Sequence, residues 1–176
     1  DEPLGALDLK LRKQMQFELK RLQKKIGITF IYVTHDQEEA MTMSDRIAIL
    51  YNGILQQVDV PCNIYNRPLS KFVADFIGES NIFYGYVSEE NGQQKTVVLE
   101  NGEVTICDST VLPKQILYVS VRPEDMQLSK EPQHGFTIFG HVKDVIFVGA
   151  VIKTIIDLPE KMEIKVNSSP RKAVFH

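Results

Sequence analysis

Residues 28–36 read Ile-Thr-Phe-Ile-Tyr-Val-Thr-His-Asp, a run of mostly apolar, β-branched and aromatic side chains that ends in a polar turn. Such a near-continuous run is typical of a strand buried on both faces of a parallel sheet, so we predict a strand over 28–33. Residues 34–36 then form the turn into a short helix that reaches about Met43. Because α/β sheets bind ligands at the carboxyl ends of their strands, His35 is a candidate site residue.

The segment before this strand has the pattern of an amphipathic helix. Apolar residues recur at spacings of three and four between Leu7 and Ile26, and lysines and arginines occupy the other faces. We predict a helix over 6–25 that ends at Gly27, because glycine most easily adopts the left-handed backbone of a helix C-cap. A helix that leads into a buried strand indicates an α/β domain.

The segment after the turn continues with short elements up to Gly78. The pair Asn52-Gly53 predicts a tight turn between two strands, and Pro61 predicts the first turn of a helix. The predicted strands cover 46–51 and 54–58, and a further helix covers 70–76.

Beyond Gly78 the helical period disappears, and short segments of alternating polarity are separated by turn residues. The predicted strands cover 82–87, 96–99, 104–106, 116–121, 137–147 and 151–158. Many short strands at close spacing predict a small OB-like barrel. We therefore expect an incomplete α/β domain over 1–79 and an all-β barrel over 80–176. We interpret the aromatic residues of the barrel as core rather than as a platform for stacking bases; they are Phe83, Tyr84, Tyr86, Phe136, Phe139 and Phe147.

The composition excludes several classes of protein. The net charge is -3, and neither half is basic: residues 1–80 carry ten Lys or Arg and eleven Asp or Glu, and the remainder carries ten and twelve. A dedicated nucleic-acid binder would usually have a basic half, so we expect no nucleic-acid partner. The two cysteines, Cys62 and Cys107, have no metal-site spacing and fit a reducing compartment. No apolar run of about 18 residues or more is present, so we expect any role at a membrane to act through partner subunits.

The first eight residues read Asp-Glu-Pro-Leu-Gly-Ala-Leu-Asp and place two acids where a neighbouring strand would end. Carboxylates and an imidazole at adjacent strand ends can converge on one phosphate. Asp1 could hold Mg²⁺ through water, Glu2 could orient or polarise an attacking water, and His35 could bond a γ-phosphate. Taken singly, an acidic pair before proline is also a common turn, and a histidine after a strand is a common loop residue.

These motifs together resemble the ATP-binding cassette (ABC) ATPases of bacterial importers. The resemblance rests on Asp-Glu-Pro at 1–3, Val-Thr-His-Asp at 33–36 and Ile-Tyr-Asn-Arg-Pro at 64–68. Val-Arg-Pro-Glu at 121–124 and Val-Ile-Phe-Val-Gly at 145–149 resemble the TOBE domain of the same family. Within the family the chain looks most like the polyamine (spermidine/putrescine) branch, with sugar or iron importers as alternatives. We expect the likeness to cover all but about the last fifteen residues, because 166–176 departs from the usual closing strands.

The resemblance implies an ATP-hydrolysing subunit that uses Mg²⁺ and works as a homodimer. Asp8 would face the partner ATPase near its nucleotide, and transmembrane permease subunits would hold the dimer at the cytoplasmic face of the membrane. The chain contains no G-x-x-x-x-G-K-[ST] phosphate loop, so we expect it to be part of a longer protein, inactive alone, with an exposed apolar face at 28–33. Two other functions stay open: a regulatory or small-ligand-binding OB-like module, and a dimerisation surface.

Overall fold

The computed structural model describes residues 8–91, 94–99, 104–108, 116–131 and 137–170. The chain divides into two compact units, Asp1–Gly78 and Glu79–His176. The first unit combines helices with a two-stranded sheet, and the second is built from strands.

The first helix, α1 (Leu9–Ile26), is defined by a cap at each end. Asp8 precedes it, and an oxygen of the Asp8 side chain accepts a hydrogen bond from the Leu11 amide at 3.0 Å. Gly27 follows it with φ of 74°, and the Gly27 amide donates to the Gln23 carbonyl. The predicted helix and its glycine cap are therefore confirmed, but the predicted start at Ala6 is wrong, because Asp8 is the N-cap and the helix begins at Leu9.

The predicted strand over 28–33 is wrong, because this segment forms neither helix nor strand. A parallel strand exists through hydrogen bonds to its neighbours, and no described strand of this unit lies beside the segment. Its apolar side chains are exposed, with Ile31 at 91%. The expectation of an exposed apolar face is thus confirmed, whereas the expectation of a strand required partners that the described residues do not supply.

The remaining elements of the first unit pack around one apolar cluster. They are α2 (Gln37–Met43), β1 (Ile47–Tyr51), β2 (Ile54–Asp59), α3 (Pro61–Asn66) and α4 (Lys71–Phe76). The antiparallel pair β1–β2 turns at Asn52-Gly53, where both residues have positive φ. The buried cluster draws on strand β1 and helices α3 and α4, with its members Ile47, Ile49, Ile64, Val73 and Ile77.

The described residues of the second unit form two antiparallel sheets that share one core. The strands are β3 (Asn81–Asn91), β4 (Gln94–Leu99), β5 (Val104–Asp108), β6 (Ile116–Val121), β7 (His141–Val148), β8 (Val151–Asp157) and β9 (Glu163–Ser168). They are arranged β5-β4-β3-β6 and β7-β8-β9. The core takes residues from both sheets: Phe83, Val87, Val97, Leu99, Ile156, Leu158, Ile164 and Val166. The prediction of an all-β, OB-like second unit is confirmed, and β9 is a strand that the sequence analysis did not predict.

The interpretation of the aromatic residues as core is wrong for most of them. Phe83 is fully buried, but Tyr84 and Tyr86 are exposed, because successive side chains of strand β3 point to opposite faces. Phe147 is exposed on β7, a strand at the edge of its sheet, and Phe139 is exposed before it. Phe136 lies outside the described residues.

Candidate functional site

The structure describes two of the four candidate site residues. Asp1 and Glu2 lie outside the described residues. Asp8 is exposed and caps α1, and His35 is exposed at the bend just before α2. The candidate site in the described residues is therefore the turn that contains His35.

Side chains on both sides of His35 fix the turn. The hydroxyl of Thr34 accepts a hydrogen bond from the Asp36 amide at 3.0 Å. Asp36 is the N-cap of α2, and its carboxylate accepts from the Glu39 amide at 3.1 Å. His35 thus lies between Thr34, which accepts the hydrogen bond across the turn, and Asp36, which caps the helix.

Beneath the turn lies the carboxylate of Glu39, which is only 3% exposed. One of its oxygens, Oε2, accepts hydrogen bonds from the Tyr32 hydroxyl at 2.8 Å and from the Thr34 hydroxyl at 2.9 Å. Burial and then the bond to Glu39 raise the pKa of Tyr32 to about 12. At neutral pH the Tyr32 hydroxyl is protonated and donates to Glu39, which anchors the segment just before the turn.

Arg12 joins α1 to the turn, and Lys20 joins α1 to the end of α2. Arg12 lies 3.8 Å from an oxygen of Asp36 and 3.9 Å from an oxygen of Glu39. Lys20 donates to the carbonyl of Thr42 at 2.6 Å, at the far end of α2. The basic side of α1 is thus partly used in packing within the unit.

Glu39 is a site residue that was not predicted, although the sequence around it carries a signal. Asp36 and Glu39 have the spacing of a capping box, in which an acid three residues after the N-cap returns to the helix start. In the structure the Glu39 carboxylate binds the hydroxyls of Tyr32 and Thr34 instead. The residue type and its spacing from Asp36 can be read from the sequence, whereas the partners of the Glu39 side chain can be seen only in the structure.

This arrangement can present an imidazole to an anionic group from a fixed backbone. Pre-organisation of this kind is what makes a hydrogen bond effective at a reacting phosphate. Over 8–91, 94–99, 104–108, 116–131 and 137–170, no cluster of three or more His, Cys, Asp or Glu side chains could hold a metal ion. Within the same part of the chain, no helix is long and apolar enough to cross a membrane.

In the second unit, polar contacts converge on the segment that begins β3. The carboxylate of Glu79 accepts from Lys153 and from Lys165, each at 2.9 Å, and these bonds lower the pKa of Glu79. Arg122, 5% exposed, donates to the carbonyl of Glu79 at 3.1 Å. The Asn81 side chain exchanges two hydrogen bonds with the backbone of Lys165. Arg122 of the Val-Arg-Pro-Glu motif therefore holds the backbone at Glu79, within this unit.

Comparison with known proteins shows what the chain is similar to. The sequence model of the TOBE domain family matches residues 119–174. The chain is 46% identical over 176 residues to "Spermidine/putrescine import ATP-binding protein PotA" of Clostridioides difficile (strain 630), covering 100% of this chain and 46% of that protein. It is 49% identical over 157 residues to the protein of the same name from Acetivibrio thermocellus, covering 89% and 43%. It is 50% identical over 149 residues to that of Borreliella afzelii (strain PKo), covering 85% and 41%.

Two facts about these matches bear on the sequence analysis. The chain spans less than half the length of the curated relatives named above. The likeness does not stop fifteen residues before the last one, because the TOBE match reaches residue 174 and includes β9. The expectation that 166–176 diverges from the family is therefore wrong.

A solved structure of the cytoplasmic molybdate-binding protein ModG is also similar. It has 15% sequence identity and a TM-score of 0.41, and the match covers 52% of this chain and 77% of that one. A likeness this weak supports no argument about a ligand.

Proposed function

We propose that this chain is part of an ABC importer ATP-binding subunit and serves, in a longer protein, as the energy-coupling ATPase of a polyamine importer. The observation that carries the proposal is 46% identity along the whole chain to a protein named for spermidine and putrescine import. Sugar and iron importers are the alternative substrate classes, because the resemblance on which the proposal began is shared with them.

Within the proposal each candidate residue has a role. Asp1 holds Mg²⁺ through water, Glu2 orients the attacking water, and His35 bonds the γ-phosphate of ATP. Asp8 faces the second ATPase subunit near its nucleotide. The exposure of His35 and the bracing of its turn by Glu39 support the role of His35.

The partners follow from the same proposal. Two copies form the ATPase pair, transmembrane permease subunits hold that pair at the cytoplasmic face of the membrane, and nucleic acid is not a partner. The 176-residue chain has no phosphate loop, whose backbone amides and lysine supply most of the affinity for a triphosphate. The chain by itself should therefore neither bind Mg-ATP tightly nor hydrolyse it.

Substitution of Glu2 tests the enzymatic role in the complete protein. Glu2→Gln keeps the shape and removes the basic carboxylate, so ATP binding should persist while turnover falls by about 10²–10⁴-fold. Glu18→Gln, which changes an exposed glutamate of α1, is the matched control and should retain turnover. Steady-state ATPase assays and nucleotide binding decide between the outcomes, and near-normal turnover of Glu2→Gln would overturn the assignment.

The TOBE match supports a second candidate, a dimerisation or ligand-binding module. Removal of the residues after Gly78 from the complete protein separates the two. Loss of the dimer in the absence of nucleotide, with retained ATP hydrolysis, would assign the second unit to association. Loss of spermidine uptake with dimerisation and hydrolysis both retained would assign it to regulation. Uptake of labelled spermidine, maltose and ferric iron by vesicles containing the whole importer identifies the substrate.

A further inference from the structure

Gln37 makes a pair of contacts that the local structure of its own helix does not require. It is the first residue of α2 and directly follows the N-cap Asp36. Its amide nitrogen donates to the carbonyl of Phe76, and its amide oxygen accepts from the amide of Gly78 at 3.0 Å. One side chain therefore holds the backbone on both sides of Ile77, about forty residues further along the chain.

The backbone that Gln37 holds is the end of α4. The last carbonyls of a helix lack partners within the helix, so a donor there stabilises the terminus. Gly78 has φ of 81°, a conformation that residues with side chains rarely adopt. The side-chain oxygen of Gln37 accepts a hydrogen bond from the Gly78 amide in this conformation. Gly78 is also the last residue of the first unit, so the chain leaves the unit from the point that Gln37 holds.

The other end of the connection is the turn that contains His35. Only Asp36 separates His35 from Gln37, and Asp36 is itself held by Thr34 and by the start of α2. These bonds hold the backbone on both sides of His35, directly before Gln37. A displacement of the turn should therefore move the side-chain amide of Gln37, which bonds the Phe76 carbonyl and the Gly78 backbone amide.

We infer that Gln37 is a positioning residue that couples the His35 turn to the backbone at 76–78, through which the chain continues into its second unit. The coupling is a property of the first unit and does not need ATP. Its use in the ATP cycle rests on the proposed function. Glutamine suits the task because its amide donates and accepts at once, which neither a carboxylate nor a lysine can do.

The test of the coupling uses the 176-residue chain and hydrogen exchange of single amides followed by NMR. Gln37→Met, which keeps length and removes both polar atoms, should speed exchange of the Gly78 amide by about tenfold, as expected for one lost hydrogen bond. Gln37→Glu can accept from Gly78 but not donate to Phe76, so it should give a smaller effect. Gln23→Met, which removes a bond from another glutamine to a backbone carbonyl, is the matched control and should leave Gly78 unchanged.

A double-mutant comparison separates coupling from simple support. Thr34→Val disturbs the turn and should speed exchange at Gly78 in the original background but add nothing in Gln37→Met. Exchange of the Ile49 amide in β1 reports general loss of stability and is the reference for every variant. Equal effects of Thr34→Val in both backgrounds, or no effect on Gly78 in either, would overturn the inference.

The complete protein provides the second readout. Mg-ATP should slow exchange of the peptide that contains Phe76 and Gly78, and Gln37→Met should lose at least half of that change while binding Mg-ATP normally. An unchanged response in Gln37→Met would contradict a role in the ATP cycle. If the complete protein bound no ATP, the proposed function would fail, and the result on the 176-residue chain would still decide the coupling.

Discussion

Glu39 is a buried carboxylate whose partners determine the shape of the candidate site. Burying an ionised carboxylate is unfavourable unless hydrogen bonds and opposite charge compensate for lost water. Here Tyr32 and Thr34 donate to it, and Arg12 lies 3.9 Å away. The same contacts hold the backbone on either side of His35, so the compensation for one buried charge also orients the turn.

Ionisation of Tyr32 provides a direct test of this network. With a pKa of about 12, Tyr32 should ionise roughly two pH units later than an ordinary tyrosine in a titration followed by phenolate absorbance. The neutral phenol is the form that donates to Glu39, so its stabilisation is complete below about pH 10 and is lost as pH rises through about 12. Tyr32→Phe should lower the free energy of unfolding by about 1 kcal/mol at neutral pH and remove the late component of the titration.

The matched control for Tyr32 is a tyrosine on the exposed face of β3. Tyr86→Phe should leave the late component in place, since Tyr86 is exposed in the second unit. A late component that survives in Tyr32→Phe would show that another tyrosine is responsible.

At the scale of elements, β9 shows how a strand was overlooked although its pattern was present. Ile164 and Val166 alternate with Lys165 and Asn167, and the two apolar residues are buried while Lys165 is exposed. β9 pairs with β8, and this pairing places Lys165 where, together with Lys153, it reaches Glu79. The sheet therefore brings two lysines to a glutamate that lies more than seventy positions earlier in the chain.

Protonation of Glu79 in acid should weaken its bonds to Lys153 and Lys165. The two lysines lower the pKa of Glu79 below its ordinary 4.5, so the stabilisation is present above about that pH and is lost as pH falls through the lowered value. Because the Glu79 side chain is 38% exposed, solvent screening limits the effect to less than about 1 kcal/mol. Urea unfolding should show Glu79→Gln less stable than the original chain at neutral pH and equal to it in strong acid.

Two observations check the electrostatic origin of that difference. High salt should reduce it, because ions screen exposed charges. Glu18→Gln, an exposed change in α1, is the matched control for removal of an acidic side chain. A Glu79→Gln effect that persists unchanged in acid would mean that packing, rather than charge, is responsible.

At the scale of the whole molecule, the first unit leaves an apolar segment uncovered. Ile28, Phe30, Ile31 and Val33 are all exposed, and the chain spans less than half the length of the curated relatives named above. Exposed apolar surface of this kind is typical of a site that another protein surface covers. The 176-residue chain should therefore associate with itself.

Light scattering at micromolar concentration measures this association. The chain should have the mass of a dimer or a larger oligomer, and Ile31→Lys should shift the population toward the 20.1 kDa monomer. Leu69→Lys makes the same change at a site that is 76% exposed but outside the 28–33 segment, and it should leave the oligomer intact. A clean monomer for the original chain would exclude the prediction.

The sequence by itself determined the elements whose cause is local. The period of α1, its cap at Gly27, and the turn at Asn52-Gly53 follow from side-chain spacing and backbone preference within a few residues. The motifs were also enough to indicate the resemblance to ABC importer ATPases, because their order and spacing can be read without coordinates. The all-β character of the second unit followed in the same way from short alternating segments.

Only the tertiary structure decided the features that depend on distant partners. An apolar run such as 28–33 becomes a strand only if a neighbour supplies its hydrogen bonds, and no sequence pattern within the run reports that neighbour. The burial of Glu39, the reach of Gln37 to Gly78 and the binding of two lysines by Glu79 are likewise set by chain segments brought together on folding. Local propensity governs backbone conformation, whereas burial, charge pairing and strand pairing are energies of the assembled unit.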